Sequence, residues 1–162
     1  MSLTVVLGGA RSGKSSLALR LAADAGRPVT FVATGEARDE EMAARIDAHR
    51  RERPRAWATV EEPVELRRVL DDVSADETVV VDCLTLWVAN VLERGLEPDD
   101  VAPAAASRPG LTIAVSNEVG LGIVPENALA RAYRDVLGRV NMEWVAASER
   151  ALFCVAGRAV EL

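Results

Sequence analysis

Residues 3–21 read LTVVLGGARSGKSSLALRL, and this stretch decides the fold. A short apolar run leads into a glycine-rich turn at residues 8–15, after which Leu17 and Leu21 recur at helical spacing. The turn has the pattern G-x-x-x-x-G-K-S between a predicted strand and a predicted helix, the context in which this pattern indicates a phosphate-binding loop. The sequence therefore predicts a protein that binds a nucleoside triphosphate. The alternative is a glycine-rich turn that binds nothing.

The residue types in this turn explain how it would hold phosphate. Glycines let the backbone approach the phosphates closely, and the N–H groups of the loop converge with the positive end of the helix. Lys14 is predicted to reach the β- and γ-phosphates as a catalytic residue, and the Ser15 hydroxyl is predicted to ligate Mg²⁺. The nucleotide-binding residues predicted in the turn are Gly8, Gly9, Ala10, Arg11, Ser12, Gly13, Lys14 and Ser15.

Length and composition predict a single domain over residues 1–162. Hydrophobic residues make up 49% of the chain and charged residues 27%, a balance typical of soluble globular proteins. The formal net charge of −6 argues against nucleic acid as a partner, because nucleic-acid-binding domains usually carry a basic surface. No apolar run approaches the roughly 20 residues that cross a bilayer, and the first strand begins too early to leave room for a signal peptide. The expected location is the cytoplasm.

Continuous apolar runs alternate with helical segments along the rest of the chain. After the first strand, strands are predicted at residues 29–33, 57–60, 77–82, 111–115 and 151–156. Helices are predicted at residues 13–25, 39–53, 62–73, 84–93 and 125–148. Buried strands separated by helices predict an α/β fold of three layers, P-loop NTPase-like (RecA-like), with a mostly parallel sheet. Residues 158–162 are predicted to return as an antiparallel C-terminal edge.

Three smaller features of the chain also lead to predictions. Residues 95–110 are rich in Pro, Ala and Asp and read as a mobile loop. The helix at 125–148 is predicted to bury an apolar face that begins at Leu129 and continues to Val140. Cys83 and Cys154 lie in apolar runs and are predicted to be small buried hydrophobes rather than a redox pair.

Polar residues follow several of the predicted strands at the edge where ligands bind in open α/β sheets. Thr34, Gly35 and Glu36 follow the strand at 29–33. Asp82 closes an apolar strand, a position from which a carboxylate holds Mg²⁺ beside a phosphate loop, or caps the following helix. Residues 116–122, SNEVGLG, predict either a second loop that faces the site or a long connection to the next helix.

His49 is the single histidine of the chain and lies in the charged helix at 39–53. Arg45 and Arg53 are four residues away on either side, on the same helical face. One interpretation is a histidine at the solvent edge of an arginine-rich helix. The other is a nucleophile, because neutral imidazole is a competent nucleophile near neutral pH. The residues themselves leave both interpretations open.

These motifs together resemble the bifunctional adenosylcobinamide kinase / adenosylcobinamide-phosphate guanylyltransferase family of cobalamin synthesis. The matching segments are GGARSGKS at 8–15, VATGEARDEEMAARIDAHRRERP at 32–54, VDCLTLWVANVL at 81–92 and SNEVGLGIVPENALARAYRDVLGRVN at 116–141. The resemblance covers nearly the whole chain. It implies a transferase that phosphorylates adenosylcobinamide with GTP or ATP and then transfers GMP from GTP, through a histidine–GMP intermediate, to give adenosylcobinamide-GDP.

The resemblance also implies roles for individual residues. His49 corresponds to the histidine that takes GMP. Further nucleotide contacts are implied at Thr34, Gly35, Glu36, Arg50, Arg51, Glu52, Arg53, Glu61 and Asp82, and Mg²⁺ is expected on Ser15 and Asp82. The implied partners are adenosylcobinamide, its phosphate and further copies of the chain in a trimer. Family members usually have an additional helix where this chain has the stretch at 95–110.

Two other classes of protein share parts of this pattern. A single-activity P-loop kinase for a small metabolite would use Lys14 and Asp82 and leave His49 idle. A regulatory GTPase would read guanine with an Asn-Lys-x-Asp motif after a strand. The chain has Ser-Asn-Glu-Val at residues 116–119 in the candidate place, which argues against such a switch.

Overall fold

The computed structural model describes residues 3–162, so the first two residues of the predicted domain lie outside the described residues. In chain order the strands are β1 (Leu3–Gly8), β2 (Val29–Ala33), β3 (Ala58–Glu61), β4 (Thr78–Asp82), β5 (Thr112–Asn117), β6 (Arg150–Val155) and β7 (Arg158–Glu161). The helices are α1 (Lys14–Asp24), α2 (Glu40–Glu52), α3 (Leu66–Asp72), α4 (Leu84–Glu93), α5 (Ala102–Ser107) and α6 (Ala128–Ala147).

All seven described strands form one sheet in the order β3-β2-β4-β5-β1-β6-β7. Every neighbouring pair is parallel except β6 and β7, which are antiparallel. Parallel strands need crossover connections and cover both sheet faces with helices, which explains the buried apolar runs. The predicted three-layer P-loop NTPase-like fold and its antiparallel C-terminal edge are confirmed.

Side-chain alternation along the strands divides the core into two layers. On one face of the sheet, Val80 of β4 and Val115 of β5 belong to the cluster that packs against α1. On the other face, Val81 and Ala114 belong to the cluster that packs against helices α3 to α6. Because successive side chains of a strand point to opposite faces, the residues two positions after Val80 and Val115 lie on the α1 face. Those residues are Asp82 and Asn117, at the carboxyl edge of the sheet.

The stretch predicted as a mobile loop contains the short helix α5, so the prediction of a loop at residues 95–110 was wrong over residues 102–107. Alanine has the highest helix propensity, and the proline of this segment lies in the first turn, where its missing N–H is not needed. Val101, Ala102 and Ala105 are buried in the core layer that contains α6. Sequence reasoning gave too much weight to proline as a helix breaker.

Side-chain hydrogen bonds lie at or just before the start of three helices. Asp39 accepts from the N–H of Met42 at 2.7 Å, which confirms the predicted start of α2. Glu62 accepts from two N–H groups of the turn before α3, so this helix begins at Leu66, later than predicted. Asn127 caps α6, but Leu129 in its first turn is 76% exposed, so the predicted apolar face was wrong at that residue.

Two compositional predictions agree with the structure. Cys83 and Cys154 are both free and buried, as expected of small core residues. Burial raises the pKa of the Cys83 thiol to about 11, so this side chain stays protonated at neutral pH. Within residues 3–162, no helix is long and apolar enough to cross a membrane.

Candidate active site

The phosphate-binding loop, residues 8–15, joins β1 to α1 as predicted. Gly13 has a φ of 95°, a left-handed conformation that favours glycine. Because α1 begins at Lys14, the N–H groups of its first turn have no partner inside the helix and are available to an anion. The ammonium of Lys14 donates to the carbonyl of Gly9 at 3.1 Å and so lies over the loop. This arrangement suits the binding of a polyphosphate.

The turn between β6 and β7 supports this loop from the opposite end of the chain. The N–H of Gly157 donates to the carbonyl of Ser12 at 2.9 Å. A Cβ atom added to Gly8 would lie 2.7 Å from the carbonyl oxygen of Cys154, closer than such atoms approach. The loop therefore requires glycine at position 8 for packing reasons as well as for phosphate access.

Asp82 lies at the end of β4, where groups from separate segments converge on its carboxyl. Burial raises the pKa of Asp82, and the positive charge that His49, Lys14 and Arg53 each carry when protonated acts in the opposite direction. The Ser15 hydroxyl also lowers the pKa of this carboxyl. The cap of α4 is Cys83, without a side-chain hydrogen bond, so Asp82 does not cap that helix. The capping role is therefore absent, and the metal-binding role of Asp82 stays a prediction.

Two arginines fix the C-terminal turn of α2 to the sheet face that carries Asp82. The guanidinium of Arg53 lies 3.8 Å from the centre of the Phe31 ring, and it donates to the carbonyl of His49 at 3.2 Å. Arg50 forms an ion pair with Glu61 at the end of β3. These contacts hold the C-terminal turn of α2 against β2 and β3, on the sheet face that packs against α1.

The imidazole of His49 remains accessible on this anchored turn. Its side chain is 46% exposed, and Nδ1 lies 3.9 Å from Oε2 of Glu52, beyond hydrogen-bonding distance. When protonated, His49 lowers the pKa of Asp82, as Lys14 and Arg53 do, so these side chains share one electrostatic environment. A half-exposed ring with access to a phosphate site is what a nucleophile toward a bound nucleotide requires.

The predicted triplet at the end of β2 is engaged with other parts of the chain. The Thr34 hydroxyl accepts from the N–H of Cys83 at 2.8 Å and donates to its carbonyl at 2.7 Å. Glu36 accepts from Arg94 at 2.8 Å and from Arg38 at 2.7 Å, and these two arginines lower its pKa. Thr34 and Glu36 therefore have structural partners, and their contact with nucleotide stays a prediction.

The predicted site residues differ in how far solvent reaches them. The exposed ones are Ala10, Arg11, Gly13, His49, Arg50, Arg51, Glu52 and Glu61. The half-buried ones are Gly9, Lys14, Ser15, Gly35, Glu36 and Asp82. The buried ones are Gly8, Ser12, Thr34 and Arg53. Arg53, buried under α2, is placed to support the helix rather than to meet solvent.

The sequence of the whole chain can now be set beside this geometry. Residues 4–162 match the family model described as cobinamide kinase / cobinamide phosphate guanyltransferase. The chain belongs to this family. The cobinamide kinase / guanyltransferase family is one of transferases, and the arrangement of a phosphate-binding loop, an acidic strand end and an accessible histidine lies within the matched residues.

Two curated relatives agree with this family, and one solved structure agrees with the fold. The bifunctional adenosylcobalamin biosynthesis protein CobP of Pseudomonas aeruginosa is 44% identical over 160 residues, covering 94% of this chain and 92% of the relative. The bifunctional adenosylcobalamin biosynthesis protein CobU of Escherichia coli is 37% identical over 180 residues, covering 99% of each. An ATPase from the type III secretion system of pathogenic bacteria has a TM-score of 0.51 at 11% identity. That match covers 94% of this chain and 51% of the ATPase, and it shows the fold alone.

The donor atoms of Ser15 and Asp82 fit the Mg²⁺ ion expected of a nucleotide-dependent transferase. They are a hydroxyl and a carboxylate that interact electrostatically, and Mg²⁺ prefers oxygen ligands, usually one or two carboxylates together with phosphates and waters. Residues 3–162 contain no group of three or more His, Cys, Asp or Glu that would hold a metal without a nucleotide. Two protein oxygens in this family member would leave the other positions around Mg²⁺ to phosphates and waters.

Sequence reasoning missed a pair of residues on the other side of the loop, Thr85 and Asn117. The Thr85 hydroxyl donates to Oδ1 of Asn117 at 3.1 Å and accepts from the Asn117 N–H at 2.7 Å. The next residue, Glu118, donates its N–H to the carbonyl of Gly8 at 3.2 Å. The signal in the sequence was the SNEVGLG segment at residues 116–122. Its first residues lie next to the phosphate-binding loop, as the interpretation of a second loop facing the site predicted. Residues 119–124 are exposed.

Proposed function

We propose that this protein phosphorylates adenosylcobinamide with GTP or ATP and then transfers GMP from GTP to the phosphorylated product, forming adenosylcobinamide-GDP. The observation that carries the proposal is that the phosphate-binding loop, Asp82 and the α2 turn that carries His49 all lie on the sheet face that packs against α1. Family membership and the full-length match to bifunctional relatives support the substrate class.

In the kinase step, the hydroxyl of adenosylcobinamide attacks the γ-phosphorus and a nucleoside diphosphate leaves. Catalysis of this step is mainly positioning and neutralisation of charge. Lys14 is placed to bind the β- and γ-phosphates, and the oxygens of Ser15 and Asp82 would hold Mg²⁺. When bound, the ion neutralises charge on the phosphates. The remaining N–H groups of the loop orient the triphosphate.

In the guanylyltransferase step, an imidazole nitrogen of His49 attacks the α-phosphorus of GTP. A phosphorus–nitrogen bond forms, the bond to the bridging oxygen breaks, and pyrophosphate leaves. A phosphate oxygen of adenosylcobinamide phosphate then attacks the same phosphorus and displaces His49, which restores the free imidazole. Arg50 and Arg51 lie next to His49 along α2 and would stabilise the charge that develops on the phosphates.

An assay of the two leaving groups tests the proposal. With adenosylcobinamide, Mg²⁺ and GTP or ATP, we expect one nucleoside diphosphate for each adenosylcobinamide phosphate formed. With adenosylcobinamide phosphate and GTP, we expect one pyrophosphate for each adenosylcobinamide-GDP. Diphosphate without pyrophosphate would instead indicate the single-activity kinase, and GTP hydrolysis that needs no acceptor would indicate a GTPase. The Lys14→Met variant controls for contaminating kinases and should form almost no diphosphate.

Several features of the proposal accompany the chemistry and are predictions of the same kind. They are one catalytic domain over residues 1–162, a homotrimer, a cytoplasmic location and the absence of nucleic acid as a partner. Size-exclusion chromatography with light scattering tests the trimer directly.

A further inference from the structure

The amide oxygen of the Asn117 side chain has a hydrogen-bond partner, and its NH₂ group has none within residues 3–162. Thr85 donates its hydroxyl hydrogen to Oδ1, and the same hydroxyl oxygen accepts from the Asn117 N–H. Because an oxygen must accept the Thr85 hydrogen, this contact orients the amide with its NH₂ group away from Thr85. Within residues 3–162, Nδ2 of Asn117 makes no hydrogen bond, whereas its Oδ1, its N–H and its carbonyl each have a partner.

Asn117 stands beside the phosphate-binding loop. It is the last residue of β5 and is paired with Gly8, the first residue of the loop. Its side chain follows Ile113 and Val115 on the face that packs against α1, so it is on the same side of the sheet as Lys14. In the adjacent strand β4, Asp82 is paired with Val115, which is two residues before Asn117 in β5. The amide therefore lies at the edge where Lys14 and Asp82 would face the outer phosphates.

The fold itself does not use this NH₂ group. The Asn117 carbonyl accepts from Nδ2 of Asn141 at 3.0 Å, so α6 already holds the backbone at this position. Tyr133 of α6 donates to the carbonyl of Thr85 at 2.9 Å, which fixes the residue that orients the amide. Contacts from α4 and α6 thus position a side chain whose two N–H donors have no partner within residues 3–162. Such an arrangement fits a donor reserved for a ligand.

We propose that Asn117 binds the terminal phosphoryl group of the nucleotide, with Nδ2 donating to a γ-phosphate oxygen. Thr85 acts as a positioning residue that keeps the amide in the donating orientation. The proposal rests on the kinase step described above, in which the γ-phosphoryl group is transferred. It makes Asn117 the group that distinguishes a bound triphosphate from a bound diphosphate.

Equilibrium binding of two nucleotides tests this inference without any acceptor. The probes are the β,γ-imido analogue of GTP and GDP, both with Mg²⁺, and all variants carry His49→Ala so that the analogue is not consumed at its α-phosphorus. Asn117→Ala removes the donor without adding a charge beside the phosphates. We expect its Kd for the analogue to rise about tenfold to one-hundredfold, the usual effect of losing a hydrogen bond to a charged group. Its Kd for GDP should stay within about twofold, because GDP lacks the group that Asn117 contacts.

Substitutions of Thr85 provide the matched pair for the positioning role. Thr85→Val is similar in shape and lacks the hydroxyl, so it should lose triphosphate preference in the same direction. Thr85→Ser keeps the hydroxyl, so it should keep the preference for the triphosphate analogue over GDP. Equal weakening of analogue and GDP binding, or no change in either, would overturn the proposal. If Asn117→Ala does not fold, Asn117→Leu, which also lacks the donor, decides by the same comparison. Because the measurement uses no cobinamide, its failure is distinguishable from failure of the proposed function.

Discussion

Arg53 lies over the aromatic ring of Phe31, with the guanidinium carbon 3.8 Å from the ring centre. The same guanidinium donates to Thr59 of β3 at 3.1 Å and to the carbonyl of His49. One side chain therefore joins two strands to the turn that carries the proposed nucleophile. The position of His49 relative to the phosphate-binding loop depends on this contact.

Arg53→Ala should destabilise the protein and impair GMP transfer more than phosphoryl transfer. Loss of the ring contact and two hydrogen bonds should lower the free energy of unfolding by about 1–3 kcal/mol. Chemical denaturation measures the stability, and separate assays of pyrophosphate and diphosphate measure the two steps. The exposed Arg55 provides a matched control, and Arg55→Ala should leave both nearly unchanged. Equal loss of the two activities would contradict a role centred on His49.

Two fully buried threonines should respond in opposite ways to the same substitution. Thr34→Val removes both hydrogen bonds to the backbone of Cys83 and should lower the free energy of unfolding by about 1–3 kcal/mol. Thr78→Val removes a hydroxyl that has no partner within residues 3–162, so it should be neutral or stabilising. Urea denaturation of the pair measures the difference. Similar losses for both variants would show that Thr34 contributes through packing alone.

Two neighbouring glycines of the phosphate-binding loop should also differ. A Cβ atom at Gly8 would collide with the backbone of Cys154, whereas one at Gly9 would meet nothing within 4 Å. Gly8→Ala should therefore lower the free energy of unfolding by about 1–3 kcal/mol, the usual result of overpacking. Gly9→Ala should change it by less than about 0.5 kcal/mol. Thermal unfolding without nucleotide is the measurement, and equal Tm values for the two variants would contradict the packing account.

The elements that could be predicted from sequence are those specified by local pattern. The bounds of α4 follow from its continuous run of hydrophobic residues. The residues of the phosphate-binding loop follow from a glycine pattern that is informative because it stands between a strand and a helix. Asp82 could be predicted because a strand that ends in a carboxylate has few other uses beside such a loop. The chemistry of His49 came from the family resemblance rather than from its spacing.

What could not be predicted depends on contacts between distant segments. The support of the loop by Gly157 and the stacking of Arg53 on Phe31 join parts of the chain whose proximity exists only in the folded sheet. The use of the Thr34 hydroxyl by Cys83 is of the same kind. The helix α5 was missed for a different reason, because local composition with proline masked the burial of Ala102 and Ala105.

Asp82 should reduce stability as the pH rises. Burial raises its pKa above the ordinary value of 3.8, so the unfolded chain releases this proton at a lower pH than the folded protein does. The destabilisation is absent well below 3.8 and grows until the pH exceeds the pKa of the folded state. Asp82→Asn should therefore be more stable than the parent protein near neutral pH, while its phosphoryl transfer falls about one-hundredfold.

Unfolding curves of both proteins between pH 4 and 8 measure this difference, and Asp71→Asn on the exposed face of α3 controls for the change of net charge. The stability gap between Asp82→Asn and the parent should widen with rising pH. A gap of constant size, or a variant less stable than the parent at neutral pH, would contradict the assigned burial of the charge.

The central claim is that His49 and the phosphate-binding loop serve the same guanosine triphosphate. The most direct test is the intact mass of the protein after brief incubation with GTP and Mg²⁺, followed by peptide mapping at alkaline pH, where a phosphorus–nitrogen bond survives. We predict one added GMP on the peptide that contains His49, lost on mild acid treatment and absent from His49→Asn. An adduct that persists in His49→Asn, or that maps to another residue, would contradict the account.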